Sequence, residues 1–234
     1  MTLAIDCTTQ TLSLALLDGS EVRAEVNLNP GRHHAETLLP AAERLLAEAG
    51  VEPGDLDLLA CTVGPGSFTG LRIGVSTLKG MALALGKPVV GVSTLEALAQ
   101  NVMPADRLVC PMLDARRDQV YAGLYRTGPE GYPEPAGKEA LVGIDSLLEG
   151  LGDGEVLFLG DGAVRHEERL VRVMGPRAIL AESGCHAVRA GAVGMIALRR
   201  FRERGGGDDA VTLAPRYLRL SEAEMKIAGT APVR

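Results

Sequence analysis

The 234 residues, 46% hydrophobic and 23% charged, supply enough apolar material for a sizeable core in one or two domains at about 150 residues each. A net charge of −6 and 3% aromatics without tryptophan argue against a stand-alone nucleic-acid binder, which needs basic surface for phosphates and aromatic platforms for bases. No apolar run approaches the ~18 residues of a membrane span. Met1-Thr2-Leu3-Ala4-Ile5-Asp6 meets an acid at once, which reads as no signal peptide, and four cysteines without CxxC spacing point to the reducing cytoplasm.

The opening segment alternates at the strand period. Leu3 and Ile5 lead to Asp6, Leu12, Leu14 and Leu16 alternate with Thr11, Ser13 and Ala15, and Val22, Ala24, Val26 and Leu28 alternate again after the turn Asp18-Gly19-Ser20. This predicts three strands, the last two a hairpin. A helix follows over 34–49, with Leu38, Leu39, Ala42, Leu45, Leu46 and Ala49 on one stripe and Gly50 as its stop. Pro40 should kink it or cost it one hydrogen bond. A buried strand over 58–63 runs into the turn Gly64-Pro65-Gly66-Ser67-Phe68-Thr69-Gly70, then a helix over 71–85, a strand over 89–92, and a helix to about 102 with Ser93 as N-cap.

After Met103-Pro104 the pattern restarts, with strands over 108–113 and 120–125, a Pro/Gly-rich loop over 128–138, a short strand over 156–159 and a helix over 187–204. The Arg199, Arg200, Arg202 and Arg204 cluster suits a helix C-terminus by its dipole, with an anion site as the other reading. From Pro215 on the pattern is loose and should fray. Two β-β-β-α-type halves, 1–103 and 104–234, suggest a duplicated α/β layout, leaving the final segment free to return to the N-terminal domain. The first strand of each half ends in an aspartate, Asp6 and Asp114.

Named catalytic devices fail on spacing. The Gly64–Gly70 turn lacks the Gly-Lys-Ser/Thr of a phosphate loop, the one-three-six glycines of a dinucleotide fingerprint and the glycine two places before serine of a nucleophile elbow. His33 and His34 are neighbours and point ~100° apart on a helix, so they cannot chelate one ion, and His166 and His186 have no partner at ligand spacing. Asp6-Cys7-Thr8-Thr9 reads either as an Asx or ST turn or as one half of a nucleotide site with Asp114. In the second half a phosphate turn would want glycine where Arg116 and Arg117 stand.

The helix over 71–85 is more telling. Leu71, Val75, Leu78, Ala82 and Leu85 form one stripe, but the opposite side carries Ile73, Thr77, Gly80 and Ala84, with Gly74 and Met81 beside it. Only Arg72 and Lys79 are charged, on one narrow strip. A helix facing water should be polar there. A small apolar back suits either another helix of the same chain or, the reading adopted, a partner subunit.

These residues carry a resemblance. Leu3-Ala4-Ile5-Asp6-Cys7-Thr8-Thr9, the His34…Leu38-Leu39-Pro40 helix and above all Gly64-Pro65-Gly66-Ser67-Phe68-Thr69-Gly70-Leu71-Arg72-Ile73-Gly74 resemble the bacterial TsaB family, and Val92-Ser93-Thr94-Leu95, Asp114-Ala115-Arg116 and Tyr217-Leu218-Arg219 agree. The resemblance covers essentially the whole chain. It implies an actin-like, Hsp70-like ATPase fold of two related α/β domains, and a non-catalytic role in making threonylcarbamoyladenosine on tRNA. It implies a TsaD-like catalytic partner, a TsaE-like ATPase joining the pair, a homodimer when alone, and only indirect contact with tRNA. The expected interface is Leu38, Ala42, Arg72, Ile73, Thr77, Gly80, Met81 and Ala84. Asp6, Thr8, Thr9 and Asp114 would form a vestigial nucleotide site, with no metal, no required cofactor and at most weak ATP or ADP. The rivals are an ATP-dependent small-molecule kinase and a peptidase, the latter lacking any Ser–His–Asp or zinc constellation.

Overall fold

The computed structural model describes residues 1–31 and 33–219. The first half forms strands β1 (Thr2–Asp6), β2 (Leu12–Asp18) and β3 (Glu21–Leu28), helix α1 (His34–Ala49), strand β4 (Leu58–Gly64), helix α2 (Phe68–Leu85), strand β5 (Val89–Ser93) and helix α3 (Thr94–Gln100). Helix α2 starts at Phe68 rather than 71 because Ser67 caps it, its hydroxyl accepting the Gly70 N–H at 3.3 Å. Ser93 caps α3 in the same way.

The second half forms β6 (Leu108–Asp114), β7 (Gln119–Ala122), β8 (Tyr125–Thr127), β9 (Pro133–Pro135), β10 (Ala140–Gly143), α4 (Ile144–Gly150), β11 (Val156–Leu159), α5 (Asp161–Arg165), α6 (Glu167–Met174), β12 (Ala178–Leu180) and α7 (Ala190–Arg204). The single strand expected over 120–125 is broken in two. β7 pairs with β6 and β10, whereas β8 pairs with an earlier part of β6, at Val109, and with β9. Helices α4, α5 and α6 are too short for a 3.6-residue periodicity to stand out in the sequence.

The first sheet runs β3-β2-β1-β4-β5 and the second β10-β7-β6-β11-β12. In each, the first strand of the half is central, antiparallel to its hairpin neighbour and parallel to the strands on its other side. The two halves therefore repeat one topology, with β8 and β9 off that path. Asp6 and Asp114 end the equivalent central strands.

Both faces of the first sheet are covered. Leu3, Ile5, Leu14, Leu16, Leu59 and Cys61 pack under α1 and α2, while Ala4, Ala15, Leu17, Ala60, Val90 and Val92 pack on the other face with α3 and α7. The alternation of β2 therefore separates two buried faces rather than core from solvent. Small residues allow α7 to lie close, and a Cβ added at Gly194 would press into Leu17 and Ala4. Ser13, fully buried, meets the first turn of α7, its hydroxyl accepting the Ala190 N–H at 2.8 Å. Three of the four arginines closing α7 are engaged within the chain. Arg200 pairs with Glu96 and donates to the Gly91 carbonyl, Arg199 pairs with Glu203, and Arg204 pairs with Asp208.

Beyond Gly205, residues 207–219 cross the molecule as a strap. Asp208 accepts and donates bonds along the edge of β5, the Arg216 N–H donates to the Val63 carbonyl at 2.6 Å, and Arg219 donates to the Ala115 carbonyl at 2.8 Å. The expectation of fraying from Pro215 is thus corrected for 215–219, whose polar groups find partners on both sheets' loops. The rest of that tail lies outside the described residues. Among the described residues no helix is long and apolar enough to cross a membrane.

Candidate functional site

Helix α2 buries Leu71, Gly74, Val75, Leu78 and Ala82 against the sheet. On its back Arg72, Ser76, Gly80, Leu83 and Ala84 are exposed, and Ile73, Thr77 and Met81 are half-buried. Leu83 is 65% exposed, and no atom lies within 4 Å of a Cβ placed at Gly80. The chain's own described residues leave this apolar back open. One flank is closed by the strap, because the Lys79 ammonium donates to the Val211 and Leu213 carbonyls at 2.8 and 2.9 Å. Gly74 belongs to the inner side, where a Cβ would touch Cys7 at 3.5 Å.

Two expected contact residues are corrected. Leu38 and Ala42 are only 1% and 2% exposed and lie in the core beneath α1. The helical period that makes them a stripe turns that stripe onto the sheet. The large apolar residue that α1 exposes is Leu39, at 47%.

The glycine turn before α2 is a packing device. The Ser67 N–H donates to the Thr8 carbonyl at 2.7 Å, and a Cβ at Gly66 would stand 2.6 Å from that same oxygen. A Cβ at Gly70 would collide with the Cys7 carbonyl. The turn is thus pressed onto residues 7–8, the place where a nucleotide phosphate would approach the end of β1.

Asp6 is fully buried there. Its Oδ1 accepts from the Thr8 and Thr62 hydroxyls, both at 2.6 Å, and from the Thr8 N–H at 3.3 Å, while Oδ2 has no partner among the described residues. Thr9 uses its hydroxyl locally, accepting the Thr11 N–H at 3.2 Å. Burial, opposed by these hydrogen bonds, pushes the Asp6 carboxyl up to about 6. In the second half Asp114 accepts the Arg116 N–H at 3.0 Å and an Arg165 nitrogen at 3.2 Å, and its own N–H goes to Asp161. Arg116, Arg117 and Asp118 have φ of 64°, 54° and 55°, the left-handed region that favours glycine and costs other residues about 1 kcal/mol each. The turn is closed internally by Ala115 N–H to Gln119 O at 2.9 Å and Gln119 N–H to Arg116 O at 3.1 Å. The Thr8 and Ser67 N–H groups at the first end and the Ala115, Arg116 and Gln119 N–H groups at the second are engaged within the chain, and the Asp6 carboxylate is enclosed.

The buried carboxyl has a measurable signature. Its folded pKa lies above the ordinary 3.8, so between about pH 4 and 6 the native state holds a proton that the unfolded chain has lost. Stability from this group therefore falls as pH rises through that window. Asp6→Asn removes the effect. The unfolding free energy of the wild type relative to the variant is expected to drop by up to ~3 kcal/mol between pH 4 and 7 in urea titrations. A difference independent of pH would mean that Asp6 ionises as an ordinary surface acid.

Cys7, Cys61 and Cys110 are buried free thiols, and burial pushes Cys61 and Cys110 up to about 12, so they pack rather than react. His33 pairs with Glu36 at 3.0 Å, His34 is buried, and His186 accepts the Gly160 N–H at 3.1 Å. Among the described residues no group of three or more His, Cys, Asp or Glu gathers as metal ligands. Two residues at the site escaped the sequence reading as partners of each other. Phe68 and Tyr217 stack with ring centroids 4.7 Å apart, and only their membership in the quoted motifs hinted at a role.

A repeated β-β-β-α-β-α-β-type topology with an aspartate ending each central strand defines the actin-like, Hsp70-like ATPase fold. Within it, the family model described as TsaD: tRNA N6-adenosine threonylcarbamoyltransferase matches residues 21–227. The tRNA threonylcarbamoyladenosine biosynthesis protein TsaB of Bacillus subtilis is 37% identical over 226 residues, 96% of each chain. Its Escherichia coli namesake is 35% identical over 164 residues, 68% of this chain and 71% of that one. The solved structure of YeaZ from Pseudomonas aeruginosa matches with a TM-score of 0.77 at 32% identity, covering 93% of this chain and 99% of that one. The chain belongs to the TsaB family.

Proposed function

We propose that the chain is a non-catalytic subunit of the machinery that makes threonylcarbamoyladenosine on tRNA. It binds and activates the TsaD-like catalytic subunit through the open back of α2. The observation that carries this reading is the apolar face of Ile73, Thr77, Gly80 and Ala84 that the described residues leave open, with nothing outside the helix's own backbone within 4 Å of a Cβ at Gly80. A glycine there lets a second helix approach closely, and the apolar neighbours gain by leaving water. The enclosed Asp6 and the self-satisfied turn at 115–119 support a subunit that needs no cofactor of its own. A TsaE-like ATPase joins the pair, the chain pairs with itself through the same face when the partner is absent, and tRNA is held by the partner rather than by this acidic protein.

The test is reconstitution with the catalytic subunit of the same cell. Co-expressed, the two should elute as one heterodimer by light scattering, and the catalytic subunit with its ATPase should modify tRNA only when this chain is added. Full modification without it, or ATP turnover by the isolated chain that is lost in Asp6→Ala, would point instead to an enzyme.

A further inference from the structure

Arg72 stands at the rim of the open face, exposed, one turn from Ser76 and on the flank where the strap runs. Its guanidinium carbon lies 4.0 Å from the centroid of the Phe68 ring, and its Nε donates to the Tyr217 hydroxyl at 3.2 Å. Phe68 is stacked on Tyr217 at 28° between planes. Tyr217 is itself anchored on both sides, by the Arg216 N–H on the Val63 carbonyl and by Arg219 on the Ala115 carbonyl. The guanidinium thus sits over an aromatic platform with one nitrogen spent. Its two terminal nitrogens have no acceptor among the described residues. Lys79, the other cation of α2, is consumed by strap carbonyls.

A partner that covers Ile73, Gly80 and Ala84 also strips water from this edge. An arginine left unpaired there would oppose association. A carboxylate answers it best, because the two terminal nitrogens present a planar fork that matches two carboxylate oxygens, and the aromatic platform has already removed the side chain's freedom. Resting on the partner-binding reading above, we infer that Arg72 is a specificity-determining fork that receives an aspartate or glutamate side chain of the partner subunit. Tyr217 acts as a positioning residue by holding the fork in place.

The experiment measures the affinity of the full-length chain for the catalytic subunit, at low and high salt, for wild type, Arg72→Lys, Arg72→Met, Arg72→Glu and Tyr217→Phe, with thermal melts to show that each is folded. Arg72→Met keeps a long side chain on Phe68 without the charge. The expected losses are ~10-fold for lysine, which cannot fork, ~10-fold or more for methionine, and ~100-fold for glutamate. Tyr217→Phe should lose a few-fold while keeping the salt dependence of the wild type. An Asp→Arg or Glu→Arg substitution on the partner that restores binding to Arg72→Glu identifies the acceptor. Arg72→Glu binding within about twofold of wild type, or lysine binding as tightly as arginine, overturns the fork. Gly80→Arg run in parallel keeps the two proposals apart. If it abolishes binding while the Arg72 variants do not, the face stands and the fork falls, and if the wild type fails to bind, the partner reading itself falls.

Discussion

Gly80→Arg is expected to separate folding from association. The position is an exposed helix interior with ordinary backbone, and nothing lies within 4 Å of an added Cβ. Arginine is a far better helix former than glycine, by about 0.8 kcal/mol, so the variant should melt about 2–4 °C higher than the wild type when both are compared as monomers, at concentrations low enough to dissociate any homodimer. The same side chain would stand in the middle of the face that a partner helix must approach, flanked by Ile73, Thr77 and Ala84. Affinity for the catalytic subunit should fall by ~100-fold or more, because overpacking a central contact cannot be relieved by a rim rearrangement. Size-exclusion light scattering and calorimetry read the two effects separately. A variant that is both stable and fully competent to bind would remove α2 from the interface.

Gly70→Ala should do the opposite and strike the fold. The new methyl group would collide with the Cys7 carbonyl oxygen, which is backbone immediately after the central strand and cannot swing away. Relief requires the start of α2 to lift, breaking the Ser67-to-Thr8 bond and the Ser67 cap. Orphaned backbone donors and lost core contacts place the cost at about 3–5 kcal/mol, and the melting temperature should drop by about 10 °C or more. Gly80→Ala is the matched control, since the same methyl there meets open space. Equal melting temperatures for the two alanine variants would contradict the close packing of the glycine turn on β1.

The two glycines show how far the sequence alone reaches. Gly80 was legible because it broke a rule visible within one helix, a back neither polar nor covered by any obvious neighbour. Gly64, Gly66 and Gly70 were legible as a structured turn that matched no phosphate device, but not for what they do. The reason for Gly66 and Gly70 lies at Thr8 and Cys7 and that for Gly64 at the Arg216 carbonyl of the strap, and a helix-initiating turn carries no mark of the backbone it presses against. Leu38 and Ala42 failed for a related reason. Periodicity puts them on one stripe of α1, yet a stripe does not say whether it faces the sheet or a partner, and here it faces the sheet.

Local physical chemistry in the sequence determined the order of elements in the first half, the duplicated halves, the cap at Ser93 and the unusual back of α2, because periodicity and capping act over a few residues. Only the tertiary structure decided that α7 closes the second face of the first sheet, that the strap holds Lys79 and Tyr217, and that Phe68, Arg72 and Tyr217 form one cluster. Those contacts join residues more than a hundred positions apart. Chain topology brings them together, and no local pattern in the sequence encodes which distant surface will arrive.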